Sequence, residues 1–276
     1  ANGTVVAIGA PRNSGNGIFA GHVRIYQNIA GMWTQVGSDI DGEAGSDFSG
    51  YSVSLSEDGN VVAIGAPSND GNDSFAGHVR VYENNSNNWV QVGSDIDGQE
   101  LMDESGWSVS LSADGKTVAI GAPRHSDSGR VQVYQEIAGN WILAGSDIVG
   151  EAPGDYSGWS VSISVDGTKV AIGAPHNTAN GFHGGHVRVF DLSTVLSSDQ
   201  FVKANFKIYP NPATEYVNVQ LSEDLQLERV NVYSAAGQLI KTERKQVVSV
   251  NELAKGTYIV EVITDQGKAG KLVVVE

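Results

Sequence analysis

The hexapeptide Val-Ala-Ile-Gly-Ala-Pro stands at Val6–Pro11, Val62–Pro67, Val118–Pro123 and Val170–Pro175, with starts 56, 56 and 52 residues apart. Self-similarity at that period makes most of the chain an array of small units, none of which can bury its apolar face alone. Each hexapeptide is followed by a polar loop, then a strand-like run such as Gly77–Tyr82, then a Trp-containing run such as Trp89–Val92. Beyond about residue 190 the repeat breaks, so a different module is attached to the array.

Within one unit the pattern predicts four strands. Tyr51–Ser56 alternates with period two, as a half-buried strand does. Asp58-Gly59 is a two-residue hairpin signal, repeated at Asp114-Gly115 and Asp166-Gly167. Val61–Ala66 is a continuous apolar run in which Gly65 and Ala66 would let neighbouring sheets approach closely, and Pro67 ends it. Gly77–Tyr82 and Trp89–Val92 complete the unit. Tight hairpins connect only antiparallel neighbours, which argues for propeller blades over a parallel solenoid. The 52-residue spacing comes from a shorter loop between Pro123 and Gly129, where no core packing resists deletion. The expected architecture is all-β: a partial propeller of four-stranded blades over residues 1–190, a linker over 191–205, and a small β-sandwich over 206–276. Ala1–Val5 aligns with the hairpin Ala113–Thr117, so the chain starts within a turn and reads as N-terminally truncated, with about three and a half blades present.

Charge is unevenly placed. The formal net charge is −15, yet residues 201–276 hold nine basic and nine acidic groups. Subtracting these from totals of 17 and 32 leaves 8 basic and 23 acidic residues in the repeat region. A field of that sign repels nucleic acid and anionic lipid and attracts cations. The chain has no cysteine, hence no disulfide and no thiol nucleophile. No apolar run reaches the roughly 18 residues that span a bilayer.

In an up-and-down blade, the 2–3 loops and the 4–1 connectors share one face of the disc. That face carries the long, variable loops Arg12–Gly21, Ser68–Gly77, Arg124–Gly129 and His176–Gly185. Such variation on a rigid scaffold describes either a binding surface or merely solvated loops. On the binding reading the contact residues are Arg12, Asn13, Asn69, Asp70, Arg124, His125, His176 and His183, and the partner is an extracellular protein or glycan. The acidic connectors contain Asp39, Asp41, Asp95 and Asp97, either a calcium site of hard oxygen ligands or turn-capping carboxylates. His22, His78 and His186 recur at one strand position, where Arg130 replaces them in the third unit, and read as scaffold. Trp33, Trp89 and Trp141 are expected between blades. Tyr51, Trp107 and Trp159 open the first strand near the axis, as core or as a surface on which a sugar could stack. No Gly-x-Ser-x-Gly elbow and no acid–base carboxylate pair stands out, so no catalysis is expected. The alternative is an accessory part of a larger secreted hydrolase or lyase.

Two stretches resemble known families. Gly-Tyr-Ser-Val-Ser-Leu-Ser-x-Asp-Gly followed by Val-Ala-Ile-Gly-Ala-Pro is similar to the FG-GAP repeat of integrin-α-type propellers. Calcium-binding members carry an Asp-x-Asp-x-Asp-Gly-x-x-Asp loop, whereas this chain has only Ser56-Glu57-Asp58-Gly59 and its equivalents, so that calcium site is not carried over. Tyr-Pro-Asn-Pro-Ala (209–213), Val232–Ile240 and Leu253–Val262 resemble the type A sorting domain of type IX secretion cargo of Bacteroidota. Its motif positions here are Pro210, Asn211, Pro212, Gly237, Gly256, Tyr258 and Lys271. The resemblance implies export to the medium or the cell surface, recognition by the type IX machinery, and removal of the domain by a sortase-like protease.

Overall fold

The computed structural model describes residues 3–137, 139–193, 206–221, 226–234, 238–264 and 267–276, with side chains omitted for 267–269. Residues 194–205 of the expected linker and Gly237 lie outside the described residues. The chain divides into two compact units, Ala1–Ser193 and Thr194–Glu276.

In the first unit each hexapeptide forms a strand in its own antiparallel sheet. The first sheet holds β1 (Val5–Ala10), β2 (His22–Ile29), β3 (Met32–Gln35) and β4 (Ile40–Asp41). The second runs β5 (Ser52–Leu55), β6 (Val61–Ala66), β7 (His78–Asn85) and β8 (Asn88–Gln91), with β9 (Ile96–Asp97) beside β7. The third repeats this as β10 (Ser108–Leu111), β11 (Thr117–Ala122), β12 (Arg130–Ile137), β13 (Asn140–Leu143) and β14 (Ile148–Val149). The fourth contains β15 (Ser160–Ile163), β16 (Lys169–Ala174) and β17 (His186–Asp191). Successive sheets pack on one another, giving a propeller-like arrangement of small antiparallel sheets.

The two-residue strands β4, β9 and β14 are absent from the sequence reading, which leaves those residues in connectors. They form because β7 is eight residues long while β8 pairs only with Tyr82–Asn85. Gly93, at φ +71°, turns the chain away, and Ile96–Asp97 returns to pair with Val79 and His78. Ile40 and Ile96 are thereby buried.

Inter-sheet contact is closest along the inner strands. A Cβ on Gly9, Gly65 or Gly121 would overlap the carbonyl oxygen of Gly50, Gly106 or Gly158 in the next sheet. The close approach expected of Gly65 is therefore a backbone-to-backbone contact. The serines alternating with apolar residues complete it: Ser52 Oγ donates to Gly106 O at 2.7 Å, and Ser108 Oγ to Gly158 O at 2.8 Å. Ser54 and Ser110 accept from Leu111 N and Ile163 N at 2.9 and 3.0 Å. The polar half of these strands faces a neighbouring sheet rather than water. Trp89 and Trp141 donate to Val36 O and Val92 O of the preceding sheet at 2.8 and 3.0 Å, as expected of residues between repeats, whereas Trp33 of the first sheet is 51% exposed.

The second unit contains two antiparallel sheets over one buried core. One has order β18 (Phe206–Tyr209), β19 (Tyr216–Leu221), β22 (Val247–Ser249). The other has order β21 (Leu239–Glu243), β20 (Leu227–Ser234), β23 (Gly256–Thr264), β24 (Gly267–Val275). Val217, Val219 and Val248 from one sheet meet Val230, Val232, Val260 and Val262 from the other. The alternating runs Tyr216–Leu221, Arg229–Tyr233, Gln238–Lys241, Val247–Val250, Thr257–Thr264 and Lys271–Val275 predict six of these strands to within a few residues, and β18 is a strand that the alternation does not mark.

The glycine contact is open to a direct test. Gly65→Ala should cost about 1–3 kcal/mol or more in urea unfolding, because the Gly106 backbone cannot retreat. Gly173→Ala should cost less, since only the rotatable Ser160 hydroxyl crowds it. Equal losses at the two positions would refute the account.

Candidate functional site

In the first three repeats the 2–3 loop is zipped to its connector by backbone hydrogen bonds. In the second repeat Met102 N, Glu104 N and Ser105 N donate to Ser74 O, Phe75 O and Ala76 O at 3.0, 3.1 and 2.9 Å. The first repeat matches with Ser46, Phe48 and Ser49 on Ile18, Phe19 and Ala20, and the third has Gly154 and Ser157 on Asp127 and Ser128. Loops and connectors thus form one layer. On the opposite edge the hairpins are joined by Glu57 N to Ala113 O and Ala113 N to Val165 O, at 2.9 and 3.0 Å.

Where each connector enters its inner strand, a tight turn ends in Gly followed by an aromatic residue. Tyr51 N, Trp107 N and Trp159 N donate back to Phe48 O, Glu104 O and Tyr156 O at 3.0, 3.1 and 3.1 Å. The adjoining Gly50, Gly106 and Gly158 are the residues in backbone contact between sheets, so the three rings are drawn together. Tyr51 and Trp107 lie 4.7 Å apart, and Trp107 and Trp159 4.8 Å apart. Tyr51 and Trp159 each remain 43% exposed, so the row is not closed core. His176 packs edge-on to Tyr156 at 4.9 Å and meets His183 at 4.7 Å.

The polar group beside the rings is Glu104. Burial raises its carboxyl above the usual range, with Arg124 opposing. Arg124 Nε lies 3.2 Å from Glu104 Oε2 but out of line for a hydrogen bond, so that buried oxygen accepts none. The Tyr51 phenol is raised by burial and by the Glu104 charge. Rings with open faces beside an exposed guanidinium can hold a ligand bearing both apolar patches and hydroxyl acceptors.

The residues expected to contact a partner divide into two groups. Asn13 and Asn69 accept from Gly15 N and Gly71 N at 2.8 and 2.7 Å, and Asp70 accepts from Phe75 N at 2.7 Å. These three shape their own loops. His125 is held 2.8 Å from the buried Asp103. His176 and His183 pack in the aromatic cluster, Arg124 meets Glu104, and Arg12 lines a separate shallow recess with Ala10, Pro11 and Asn13. Phe48, Glu104, Tyr156 and Phe182 carry no motif. Their only signal is position, since the first three stand three residues before a repeated ring.

The acidic connectors build His–carboxylate clusters that could hold a metal: His22 with Asp39 and Asp41, His78 with Glu43 and Asp95, and His125 with Glu100 and Asp103. Asp39 and Asp41 come together because they flank Ile40 on one side of a strand. Asp95 meets Glu43 of the preceding connector, not Asp97, in its cluster. Guanidinium groups already supply positive charge there. Arg24 grips Asp39 through Nε and Nη2 at 2.9 and 2.8 Å, which with Gln35 holds that carboxyl down to about 2. Arg80 stands 3.4 Å from Glu43 and donates to Asp41 O at 2.8 Å.

The third repeat exchanges the whole set. Arg130, 1% exposed, donates to Gln99 Oε1, Asp147 Oδ2 and Asp103 Oδ2 at 2.9, 3.0 and 2.8 Å. Where the second and fourth repeats pair His and Arg with Glu43 or Glu151, the third pairs Arg130 and Gln132 with Gln99 and Asp147. Each junction therefore keeps a single guanidinium.

In the second unit the motif residues hold the last strand. Asn211 Nδ2 donates to Leu272 O at 3.0 Å and its Oδ1 accepts from Val274 N at 2.8 Å. Lys271 lies 5.4 Å over the Phe206 ring and donates to Phe206 O at 3.3 Å. Tyr258 donates its hydroxyl to Ala254 O at 2.8 Å, and Gly256 opens β23. Pro210 and Pro212 flank Asn211 in the segment before β19.

Comparison with known proteins assigns residues 207–276 to a secretion system C-terminal sorting domain, of the type IX kind. The chain is accordingly secreted or displayed at the cell surface. Among the described residues no helix is long and apolar enough to cross a membrane. No curated protein matches the chain. Solved structures similar to it include the periplasmic gluconolactonase of Pseudomonas aeruginosa, at 14% identity and a TM-score of 0.45, covering 98% of this chain and 96% of that one. The β-propeller domain of the Trilobed protease from Pyrococcus furiosus shares 10% identity at a TM-score of 0.42, over 99% and 80%. TolB from Acinetobacter baumannii shares 15% at 0.38, and the match spans 93% of this chain but only 49% of TolB. Similarity this low carries no functional assignment, and it does not single out integrin-type repeats.

The buried His78 gives a pH test. Burial, then Arg80, pushes its imidazole down to about 4 from 6.5, although Asp95 lies 3.6 Å away. A His whose folded pKa is depressed costs stability as pH falls from the unfolded value towards the folded one. Stability should fall as pH drops from 6.5 to about 4, and His78→Gln should flatten that part of the curve. The Asp39 contribution is lost in a separate, lower window, as pH falls through about 2. An unchanged slope in the variant would disprove the assignment.

Proposed function

We propose that the repeat region is a non-catalytic binding module displayed outside the cell, and that it holds a neutral or amino-sugar glycan on the Tyr51–Trp107–Trp159 row. The observation that carries this reading is the row itself: equivalent residues of successive repeats, neighbours under 5 Å apart, with half-open outer rings. The formal charge of −15, concentrated in this region, disfavours acidic polysaccharides. Glu104 and Arg124 lie against each other, and His176 and His183 pack with rings, an arrangement suited to contact rather than to proton transfer. The same role would serve an accessory part of a larger secreted enzyme.

Each repeat is read as a four-stranded propeller blade, and the C-terminal unit as a small sandwich recognised by the type IX machinery and removed by a sortase-like protease. Calcium has no part in the proposal, because Arg24 and Arg80 already stand at the Asp39 and Glu43 carboxylates of the connector clusters. A protein partner is the second reading. It is favoured by exposed apolar side chains in the same loops and connectors, among them Ile18, Phe75, Leu101, Met102 and Phe182.

Calorimetry against neutral and amino-sugar oligosaccharides tests the first reading. Tyr51→Ala and Trp159→Ala should each weaken binding at least about tenfold while leaving the melting temperature nearly unchanged. No heat with any saccharide, together with protein capture lost in Phe75→Ser and Phe182→Ser, would replace it with the second. Export is tested separately. In a host with a type IX system, deletion of residues 206–276 should leave the repeat region in the periplasm. Unimpaired release of the shortened chain would contradict that role.

A further inference from the structure

Among the described residues, three His–carboxylate clusters stand at the connectors, and in two of them the carboxylate is already engaged. Both oxygens of Asp39 accept from Arg24, which closes the His22 cluster. In the His125 cluster, Nδ1 lies 2.8 Å from Asp103 Oδ1, and Arg130 holds Oδ2 at 2.8 Å. The middle cluster differs. His78 is 1% exposed, and its Nδ1 stands 3.6 Å from Asp95 Oδ2 and 3.9 Å from Glu43 Oε2, too far for a hydrogen bond to either. Its ring makes no hydrogen bond among the described residues. The other oxygens face elsewhere: Asp95 Oδ1 accepts from Gln91 Nε2 at 2.6 Å, and Glu43 Oε1 stands 3.4 Å from Arg80. His78, Glu43 and Asp95 thus each present one ligand atom, within 4.8 Å of one another.

The next repeat shows which kind of group suits that position. There Arg130 stands in place of His78, Gln99 in place of Glu43 and Asp147 in place of Asp95. Arg130 Nη1 donates to Gln99 Oε1 and Asp147 Oδ2 at 2.9 and 3.0 Å, so a cationic group bridges the two connectors. Charge is balanced differently at the two junctions. Glu43, Asp47 and Asp95 face Arg80, whereas Gln99, Asp103 and Asp147 face Arg130. The His78 junction therefore sets one more carboxylate against one guanidinium, and an uncharged imidazole occupies the place of the bridging cation.

We infer that the middle cluster binds a divalent transition-metal ion of the zinc class through His78 Nδ1, Glu43 and Asp95, with water completing the coordination. Imidazole with carboxylates suits such an ion, whereas calcium takes about six to eight oxygens. Four bonds of about 2.0–2.2 Å set neighbouring ligand atoms about 3.4 Å apart. The separations of 3.6 and 3.9 Å about Nδ1 need little closure to reach that. The Glu43 and Asp95 side chains are 47% and 27% exposed, which gives the ion a path from solvent. Arg80 lies against Glu43 Oε1 and leaves Oε2 for the metal. Glu43 belongs to the connector that leads into Tyr51, while His78 and Asp95 belong to the second repeat. The ion therefore ties two successive repeats together at their junction.

Zinc titrated into the metal-free full chain at neutral pH tests this by calorimetry and thermal melting. Zinc should bind saturably and raise the melting temperature. His78→Gln and Glu43→Gln should each weaken binding at least about tenfold, whereas His22→Gln, in the cluster closed by Arg24, should leave it unchanged. Glu43→Gln, at a half-exposed side chain, decides the matter if His78→Gln fails to melt cooperatively. Cobalt(II) in place of zinc should give visible absorption bands that His78→Gln abolishes, and calcium should bind at least about tenfold more weakly than zinc. Absence of saturable binding, zinc affinity unchanged in Glu43→Gln, an equal loss in His22→Gln, or calcium binding as tight as zinc would each overturn the inference.

Discussion

Backbone contact between glycines of successive repeats sets the geometry of the first unit. Where Gly65 meets the Gly106 carbonyl no side chain fits, so the separation of the inner strands is determined by peptide atoms alone. Because Gly106 immediately precedes Trp107, and its equivalents precede Tyr51 and Trp159, the same contact sets the spacing of the ring row. A packing requirement and a candidate binding surface are thus one feature of the chain. The inner-strand serines follow from it, because strands this close need hydrogen bonds rather than bulk between them.

Further out, the sheets are joined by charge. Guanidinium groups meet the carboxylates of the preceding connector, as Arg80 meets Glu43, Arg130 meets Asp103 and Arg188 meets Glu151. The exchange in the third repeat makes this concrete. Placing Arg130 at the histidine position would crowd two guanidinium groups together, and Gln132 and Gln99 remove the conflict. Buried ion pairs are costly unless well partnered, and here the two Nη groups of Arg130 meet three acceptors while its Nε meets none.

The second unit solves a different problem. Its core is mostly valine from two sheets, and the Pro-Asn-Pro segment fastens the final strand through the Asn211 amide. Residues that mark the sorting domain in sequence thus have a mechanical role, since they hold the strand that ends the chain. An unfastened terminal strand would present an open edge, a liability during export.

Much of this was legible in the residues. The hexapeptide period, the Asp-Gly hairpins and the alternating serines establish the number and order of most strands, because hydrogen-bonding period and turn chemistry are local properties. The sorting-domain motif was equally plain. Other features needed the tertiary structure. The short strands β4, β9 and β14 depend on how much edge an eight-residue neighbour leaves unpaired. Whether Asp39 meets a metal or Arg24 depends on which side chain the opposite strand presents. Tyr51, Trp107 and Trp159 could be read as core or as surface from sequence, and only the packing of successive sheets sets them in a row whose outer rings are 43% exposed. Sequence determines what each strand can bury; the packing of one sheet on the next decides what remains for a partner to touch.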